Sequence, residues 1–383
     1  MEKVTPFKEV IEEVKRNGGE RVKYCYQCGK CDALCPWNRV RIFSMRRLIR
    51  DAAFGLSEIE KEDIWRCTTC GRCVLMCPRD VRQIDDIVAV RRMATSYGVF
   101  PSSIKAYKQV ATYLSSKGNP FNEDPKDRAK WAEGLDIRIF EEGMEVLYFT
   151  CCYLCYDQRL KNIARSTALL LKKAKVNFGI LGEAESCCGE SIRKTGNESL
   201  FRRLAKENIK KFIDFGVKTI VVSSPHCYYT FKNEYPSFGA KFEVFHISEY
   251  IKELIDSKRL KIEKEYKAKI TYHDPCYLGR HSNIFEEPRD ILKSVKGLEI
   301  FELPENRLAS LCCGMGGGRI WAETEKNERF SNIRVEEAVR LGAEELVTSC
   351  PYCISALEDS KLIMGYDDKL RIKDLAELIN EVT

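Results

Sequence analysis

Up to about residue 116 the apolar positions recur at helical intervals; from Val146 onward short β-type runs take over, alternating with helical stretches. Phe7, Val10, Ile11 and Val14 predict a charged amphipathic helix over residues 1–17. Ser44 can cap a helix that carries Met45, Leu48, Ile49 and Ala52 and that Gly55 stops. Residues 57–65 predict a second helix, and Val81, Ile84, Ile87, Val88 and Met93 a third. The stretch 115–134 is polar, contains Gly118, Asn119, Pro120 and Pro125, and reads as a linker. Beyond it, strands are expected at 146–150, 176–180, 219–223, 242–245, 269–273 and 345–348. Helices are expected at 157–173, 198–215, 248–256, 327–341 and 373–380. Such alternation argues for α/β layers built on mostly parallel sheets.

The second half also repeats itself. Cys152 maps onto Cys276 at an offset of 124, and Cys187-Cys188-Gly189 onto Cys312-Cys313-Gly314 at 125. Thr219-Ile-Val-Val-Ser-Ser-Pro-His-Cys227 maps onto Glu345-Leu-Val-Thr-Ser-Cys-Pro-Tyr-Cys353 at 126. Three anchors with so little drift indicate two copies of one unit, expected to be related by a pseudo-two-fold axis. The organisation read from the chain is a helical domain over 1–116, a linker over 117–143, and two α/β units over 144–260 and 268–383.

Cysteine adds chemistry to this outline: there are 19 in 383 residues, most of them in spaced clusters. Two runs in the helical part read C-x2-C-x2-C-x3-C-P: Cys25, Cys28, Cys31, Cys35 with Pro36, and Cys67, Cys70, Cys73, Cys77 with Pro78. This is the bacterial two-cluster ferredoxin run, in which the fourth cysteine ligates the other cluster. Cys25, Cys28, Cys31 and Cys77 are therefore expected to hold one [4Fe–4S] cube, and Cys67, Cys70, Cys73 and Cys35 the other. Structural zinc would use paired C-x2-C knuckles and often histidine, whereas each run here has four cysteines and no nearby histidine.

Composition narrows the setting. A hydrophobic fraction of 44% is ordinary for a globular chain. No apolar run approaches the roughly 20 residues that cross a bilayer, and the N-terminus has no signal-peptide core, so thiols should stay reduced in a cytoplasmic protein. The expectation is a chain that meets the inner face of a membrane only through a partner. The net charge of +6 is spread along the sequence. Arg46, Arg47, Arg50, Arg91 and Arg92 read as solvated helix faces rather than a nucleic-acid footprint; docking to an acidic redox partner is the remaining use of such charge.

Each copy of the repeat reads C…CCG…[C/S]-P-x-C. This arrangement resembles the CCG-domain family, typified by the catalytic subunit of heterodisulfide reductase. A two-cluster ferredoxin part fused to two CCG repeats resembles the single-chain, membrane-linked form of that subunit, and the likeness spans essentially the whole sequence. The fold implied is an α-helical two-cluster ferredoxin domain followed by two Rossmann-like α/β CCG repeats. A complete motif in the family gives five cysteines to a noncubane [4Fe–4S] cluster thought to cleave disulfides. By that resemblance Cys276, Cys312, Cys313, Cys350 and Cys353 form one such site. In the first copy Cys152, Cys187, Cys188 and Cys227 match, but Ser224 stands where a fifth cysteine belongs, and serine is a poor ligand for a soft metal. Four cysteines suffice for a cubane, so the first site is expected to hold a cubane or modified cluster. Cys151 and Cys155, beside Cys152, are each open as a replacement ligand or as a small buried residue.

The resemblance implies an iron–sulfur oxidoreductase subunit. Electrons from a flavoprotein or membrane redox subunit pass through the two cubes to the CCG sites. There they move on to another carrier or, alternatively, reduce a disulfide-type substrate at the second site. His273, before Asp274-Pro275-Cys276, is the candidate proton donor to a departing thiolate, and His226 before Cys227 has the same two uses, proton donor or hydrogen bond to sulfur. His246 and His281 carry no motif. The glycines at 314, 316, 317 and 318 do not fit a dinucleotide fingerprint; they would let backbone N–H groups approach a cluster or substrate closely. Arg280 and Arg319 are open as anion binders or as surface ion pairs.

Overall fold

The computed structural model describes residues 5–383. The expected helix over 1–17 is present as Lys8–Arg16, and residues 1–4 lie outside the described residues. Two compact units divide the chain. The first comprises the chain up to Ala111 together with Ser191–Phe201 and Gly314–Phe330; the second comprises Thr112–Glu190, Arg202–Cys313 and Ser331–Thr383.

In the first unit the N-terminal part is helical throughout, with its longest helix at Gln83–Ser96. Ser44 caps Met45–Ala53 by accepting from the Arg47 N–H, and Gly55 ends that stretch at a φ of 69°. The helix expected at 57–65 is only Asp63–Arg66, because Ile64 and Trp65 alone offer buried apolar surface there. Arg91 is not a solvated residue. It is fully buried and donates to the carbonyls of Ile64, Cys67, Lys194 and Gly317, so it gathers three separate segments of the unit. Gly316 and Gly317 press against the backbone of Cys67 and Thr68: a Cβ on either would stand 2.4 Å from a carbonyl oxygen. The close approach that these glycines allow is therefore to the Cys67 loop. Arg319 is also packed inside this unit, with its guanidinium 5.6 Å from the Trp37 ring and a bond to the Glu323 carbonyl.

The second unit carries two four-stranded parallel sheets. Strands β1 (Val146–Phe149), β2 (Phe178–Gly179), β3 (Thr219–Val222) and β4 (Glu243–His246) line up in the order β2-β1-β3-β4. Strands β5 (Ala268–Tyr272), β6 (Leu298–Glu302), β7 (Glu345–Thr348) and β8 (Arg371–Asp374) repeat that order as β6-β5-β7-β8. The central strands are buried apolar runs, as parallel strands covered on both faces must be. β6 and β8 are edge strands of mixed polarity, and their pattern does not separate them from loop or helix. Helix 373–380 is accordingly shifted to Leu375–Val382, with Asp374 as its cap.

Packing between the two repeats is reciprocal. Lys161–Lys173, which follows β1, packs on the final helix Leu375–Val382, and Ile247–Asp256, the last helix of the first repeat, packs on Glu286–Lys293, which follows β5. Arg159 ties the first repeat to Glu358 and Glu377 of the second. Segment 117–143, read as a linker, is structured. It contains the 3-10 helix Pro125–Ala132, whose Arg128 and Trp131 are buried against the first repeat.

Candidate metal centres

In the first unit both ferredoxin-type runs adopt one loop conformation. Gln27 and Gly29 have positive φ (65° and 82°), as do Thr69 and Gly71 (53° and 81°) at the matching positions. These turns coil each run into the same loop. Cys25, Cys28, Cys31 and Cys77 line one cavity with about 310 Å³ of space not filled by protein atoms. Cys35 lies instead in the electrostatic field of Cys70 and Cys67, and Cys73 in that of Cys67, Cys70 and Cys35. The fourth cysteine of each run thus stands with the other run's three. Backbone and side-chain N–H groups reach these sulfurs: Gln27 to Cys25 at 3.3 Å, Thr69 to Cys67 at 3.4 Å and Val81 to Cys77 at 3.5 Å. Burial pushes the Cys31 thiol up to about 12 and raises Cys35 and Cys73 as well. A metal must therefore displace protons from these thiols to bind.

In the second unit the cysteines sit where parallel α/β sheets bind ligands. In the order β2-β1-β3-β4 the switch point lies between β1 and β3, and the crevice opens at the carboxyl ends of those strands. Cys152 follows β1, and Ser224 and Cys227 follow β3. Cys276 follows β5, and Cys350 and Cys353 follow β7, at the equivalent switch point of the second sheet. Each doublet, Cys187-Cys188 and Cys312-Cys313, is buried.

Thiol contacts join these residues. In the first repeat Cys152 meets Cys187, and Cys227 lies 3.4 Å from Cys188. In the second, Cys276 lies 3.9 Å from Cys312, and Cys353 meets both Cys313 and Cys350. Gly189 donates its N–H to Cys187 at 3.4 Å. Among the described residues no group of three or more His, Cys, Asp or Glu closes on a single-ion position. Soft thiolate sets of this kind suit iron–sulfur clusters, and the donor chemistry at all four stations fits them.

The surroundings of the two sites differ. At the first, fully buried Arg128 donates to Glu185 at 3.0 Å and to the Cys152 sulfur at 3.4 Å, while Glu185 also accepts from the Thr150 N–H. At the second, buried Arg289 grips Asp274 at 2.7 and 2.9 Å. His226 comes from the first repeat but serves the second site. Its ring lies between Tyr277 and Tyr352, with centroids 4.2 and 4.4 Å away, and it hydrogen-bonds Cys350. Its Nδ1 is 3.2 Å from Glu190. Burial works against the charged imidazole, but Glu190 and Cys350 together outweigh it and raise His226 well above an ordinary histidine. Burial likewise opposes the Cys350 thiolate, yet hydrogen bonds from Cys353 and His226 bring this thiol below its ordinary value.

His273 does not have the surroundings of a proton donor. It is fully buried, neither ring nitrogen has a hydrogen-bond partner, and burial, with Arg334 next, pulls it down to about 3, so it is neutral near pH 7. The imidazole that touches a thiol of the second site is His226. Arg280 is spent on the carbonyls of Ser310 and Leu308. Sequence reasoning missed Arg128, Glu185, Glu190, Tyr277 and Tyr352. Tyr277 had a signal, since Cys-Tyr-Leu recurs at 152–154 and 276–278; Arg128 lay in a stretch with no pattern.

The comparisons with known proteins agree with this architecture. A cysteine-rich (CCG) domain matches residues 146–232 and 270–358, and a 4Fe-4S dicluster domain matches residues 21–81. These define an iron–sulfur protein with two CCG domains. One subunit of a dihydromethanophenazine:CoB–CoM heterodisulfide reductase from Methanosarcina barkeri is 30% identical, over 93% of this chain and 93% of its own length. The chain belongs to the family of iron–sulfur oxidoreductases that includes this heterodisulfide reductase polypeptide. A probable iron-sulfur-binding oxidoreductase, FadF, of Bacillus subtilis is 37% identical over 84% of the chain. An EtfAB:quinone oxidoreductase of Syntrophomonas wolfei is 34% identical over 84%. The chain spans 46% of the length of each of these last two relatives. A solved protein from Helicobacter pylori, 12% identical with a TM-score of 0.51, covers 98% of the chain and 72% of its own length, and shares the fold alone. Among the described residues no helix is long and apolar enough to cross a membrane.

Proposed function

We propose that this chain is an electron-relay subunit that passes electrons through two ferredoxin-type [4Fe–4S] clusters to its CCG sites within a larger redox complex. The observation that carries the reading is the convergence of the cysteines, with the fourth residue of each ferredoxin-type run standing among the other run's three. Cys25, Cys28, Cys31 and Cys77 are the ligands of one cubane, and Cys67, Cys70, Cys73 and Cys35 those of the other. Cys276, Cys312, Cys313, Cys350 and Cys353 form the noncubane site, while the first CCG site, with Ser224 in place of one cysteine, takes a cubane or modified cluster. Such clusters, when bound, supply one-electron storage; the protein supplies thiolates, N–H···S bonds that tune potential, and burial that keeps water out. The reciprocal helix packing, and the contacts of His226 with Tyr277 and of Tyr352 with Tyr153, support a pseudo-two-fold relation between the repeats.

The electron donor is a flavoprotein or membrane redox subunit, a reading supported by the relatives named above. The chain is read as cytoplasmic, meeting the membrane through that partner. A second reading, that the second CCG site itself reduces a disulfide, is favoured by one observation: His226 is held against the Cys350 sulfur, where it can stabilise a thiolate. The test is to reconstitute the full chain anaerobically with iron and sulfide, supply a low-potential donor, and offer a heterodisulfide. Reduced clusters without turnover support the relay; turnover supports catalysis; a chain that takes up no iron defeats both.

A further inference from the structure

We infer that Cys151 supplies the thiolate that Ser224 lacks, so that the first CCG site is a five-cysteine set like the second. The inference rests on the reading above that this site holds an iron–sulfur cluster. In the second repeat the last thiol contact is between the two cysteines of one loop, Cys353 and Cys350. In the first repeat Cys227, the counterpart of Cys353, hydrogen-bonds Cys188 on one side and Cys151 on the other. The thiols therefore run Cys152–Cys187 and Cys188–Cys227–Cys151, matching Cys276–Cys312 and Cys313–Cys353–Cys350. Ser224, which occupies the Cys350 position, is fully buried, and its hydroxyl has no hydrogen-bond partner.

The backbone singles out Cys151 independently. Its φ of 73° with ψ of 141° lies in a region that only glycine visits readily, yet the residue there is a cysteine with 6% exposure. Such strain persists where surrounding structure or function requires the side chain. Cys155, the other spare cysteine, has a different neighbourhood: it is buried in the field of Arg128 and Glu185 first, and of Cys152 and Cys151 only after them. On binding, Cys151 loses its thiol proton to solvent and gives an electron pair to iron, with no change of oxidation state.

The test uses the full chain, reconstituted with iron-57 and sulfide and read by Mössbauer spectroscopy and iron content. Cys151→Gly is the decisive variant, because glycine suits this φ and leaves the fold intact. The expected result is a changed or missing first-site component in C151G, an unchanged spectrum in Cys155→Ser, and recovery of the wild-type component in the double variant C151G/S224C. A C151G spectrum that superimposes on wild type, or a C155S spectrum that loses the same component, overturns the assignment. Cys188→Ser tells the failure of the inference from that of the reading beneath it: if it too leaves the spectrum unchanged, the first site holds no cluster, and both fall together.

Discussion

The two CCG sites share a strand order, a switch-point location and a sequence of thiol contacts, but they are built to different electrostatic plans. The first sets a buried arginine directly on a cysteine sulfur, with Glu185 balancing the charge. The second keeps its arginine on Asp274 and faces a cysteine sulfur with an imidazole borrowed from the other repeat. The two repeats offer similar cradles, and both a position inside the motif, Ser224 against Cys350, and side chains outside it make them unequal. A permanent cation beside sulfur favours added electrons whatever the pH; a histidine clamped between two tyrosines puts a hydrogen-bond donor where a thiolate needs one.

The contrast between the sites breaks most decisively at the cysteines. Cys353→Ala should remove the second-site spectral component and about four irons while sparing the first, as expected for one [4Fe–4S] unit; Cys188→Ala should do the converse. Loss of both components from either variant would mean that the sites are not independent. Next in size is the buried ion pair. Arg128→Met leaves Glu185 charged and unpaired in the interior and should cost about 3–5 kcal/mol of stability, read as a lowered thermal midpoint. An unshifted midpoint would show that Glu185 finds another partner.

His226→Phe keeps a ring between Tyr277 and Tyr352 but removes the bond to Cys350. A hydrogen bond to a charged group, about 1.5 kcal/mol, corresponds to roughly 60 mV for one electron. The second-site reduction potential should fall by about that much while the first-site potential stays constant in an EPR-monitored titration; equal shifts at both sites would deny His226 a local role. The smallest effect concerns the helix caps. His246 caps Ile247–Asp256 where Asp374 caps the equivalent helix of the second repeat. Burial holds His246 down to about 3 in the fold, below its unfolded value. The stability this provides is complete above about pH 6.5 and is lost as pH falls toward 3, by at most about 1.4 kcal/mol per pH unit. His246→Asn should flatten that acid slope in denaturation midpoints measured from pH 7 to 5.5; an unchanged slope would assign it to other groups.

Much of this molecule was legible because its chemistry is written in one residue type at fixed spacings. Cysteine spacing marked the four groups of thiols that the fold gathers, and the drifting offset between anchors marked the repeat. The central strands showed as apolar runs such as Thr219–Val222, whereas Leu298–Glu302 lies at a sheet edge with little burial and left no period to read. What escaped was whatever depends on tertiary proximity. Arg91 reads as a surface residue beside Arg92, yet it is buried at a junction of segments remote in sequence. Arg128 sits in a polar stretch that reads as a linker. His226 and His273 look alike as motif neighbours, and only the fold decides which ring touches sulfur. The glycines at 316 and 317 signalled a close approach correctly, but their partner was the polypeptide at Cys67 and Thr68.

Thiolates holding iron and sulfide at four stations are the premise of everything above, and iron-57 Mössbauer spectroscopy with metal analysis of the anaerobically reconstituted full chain tests it most directly. The predicted result is about sixteen irons per chain, four for each [4Fe–4S] cluster, with the second CCG component distinct from the two ferredoxin-type cubanes. A colourless sample, or one whose bound metal is mainly zinc, would contradict it.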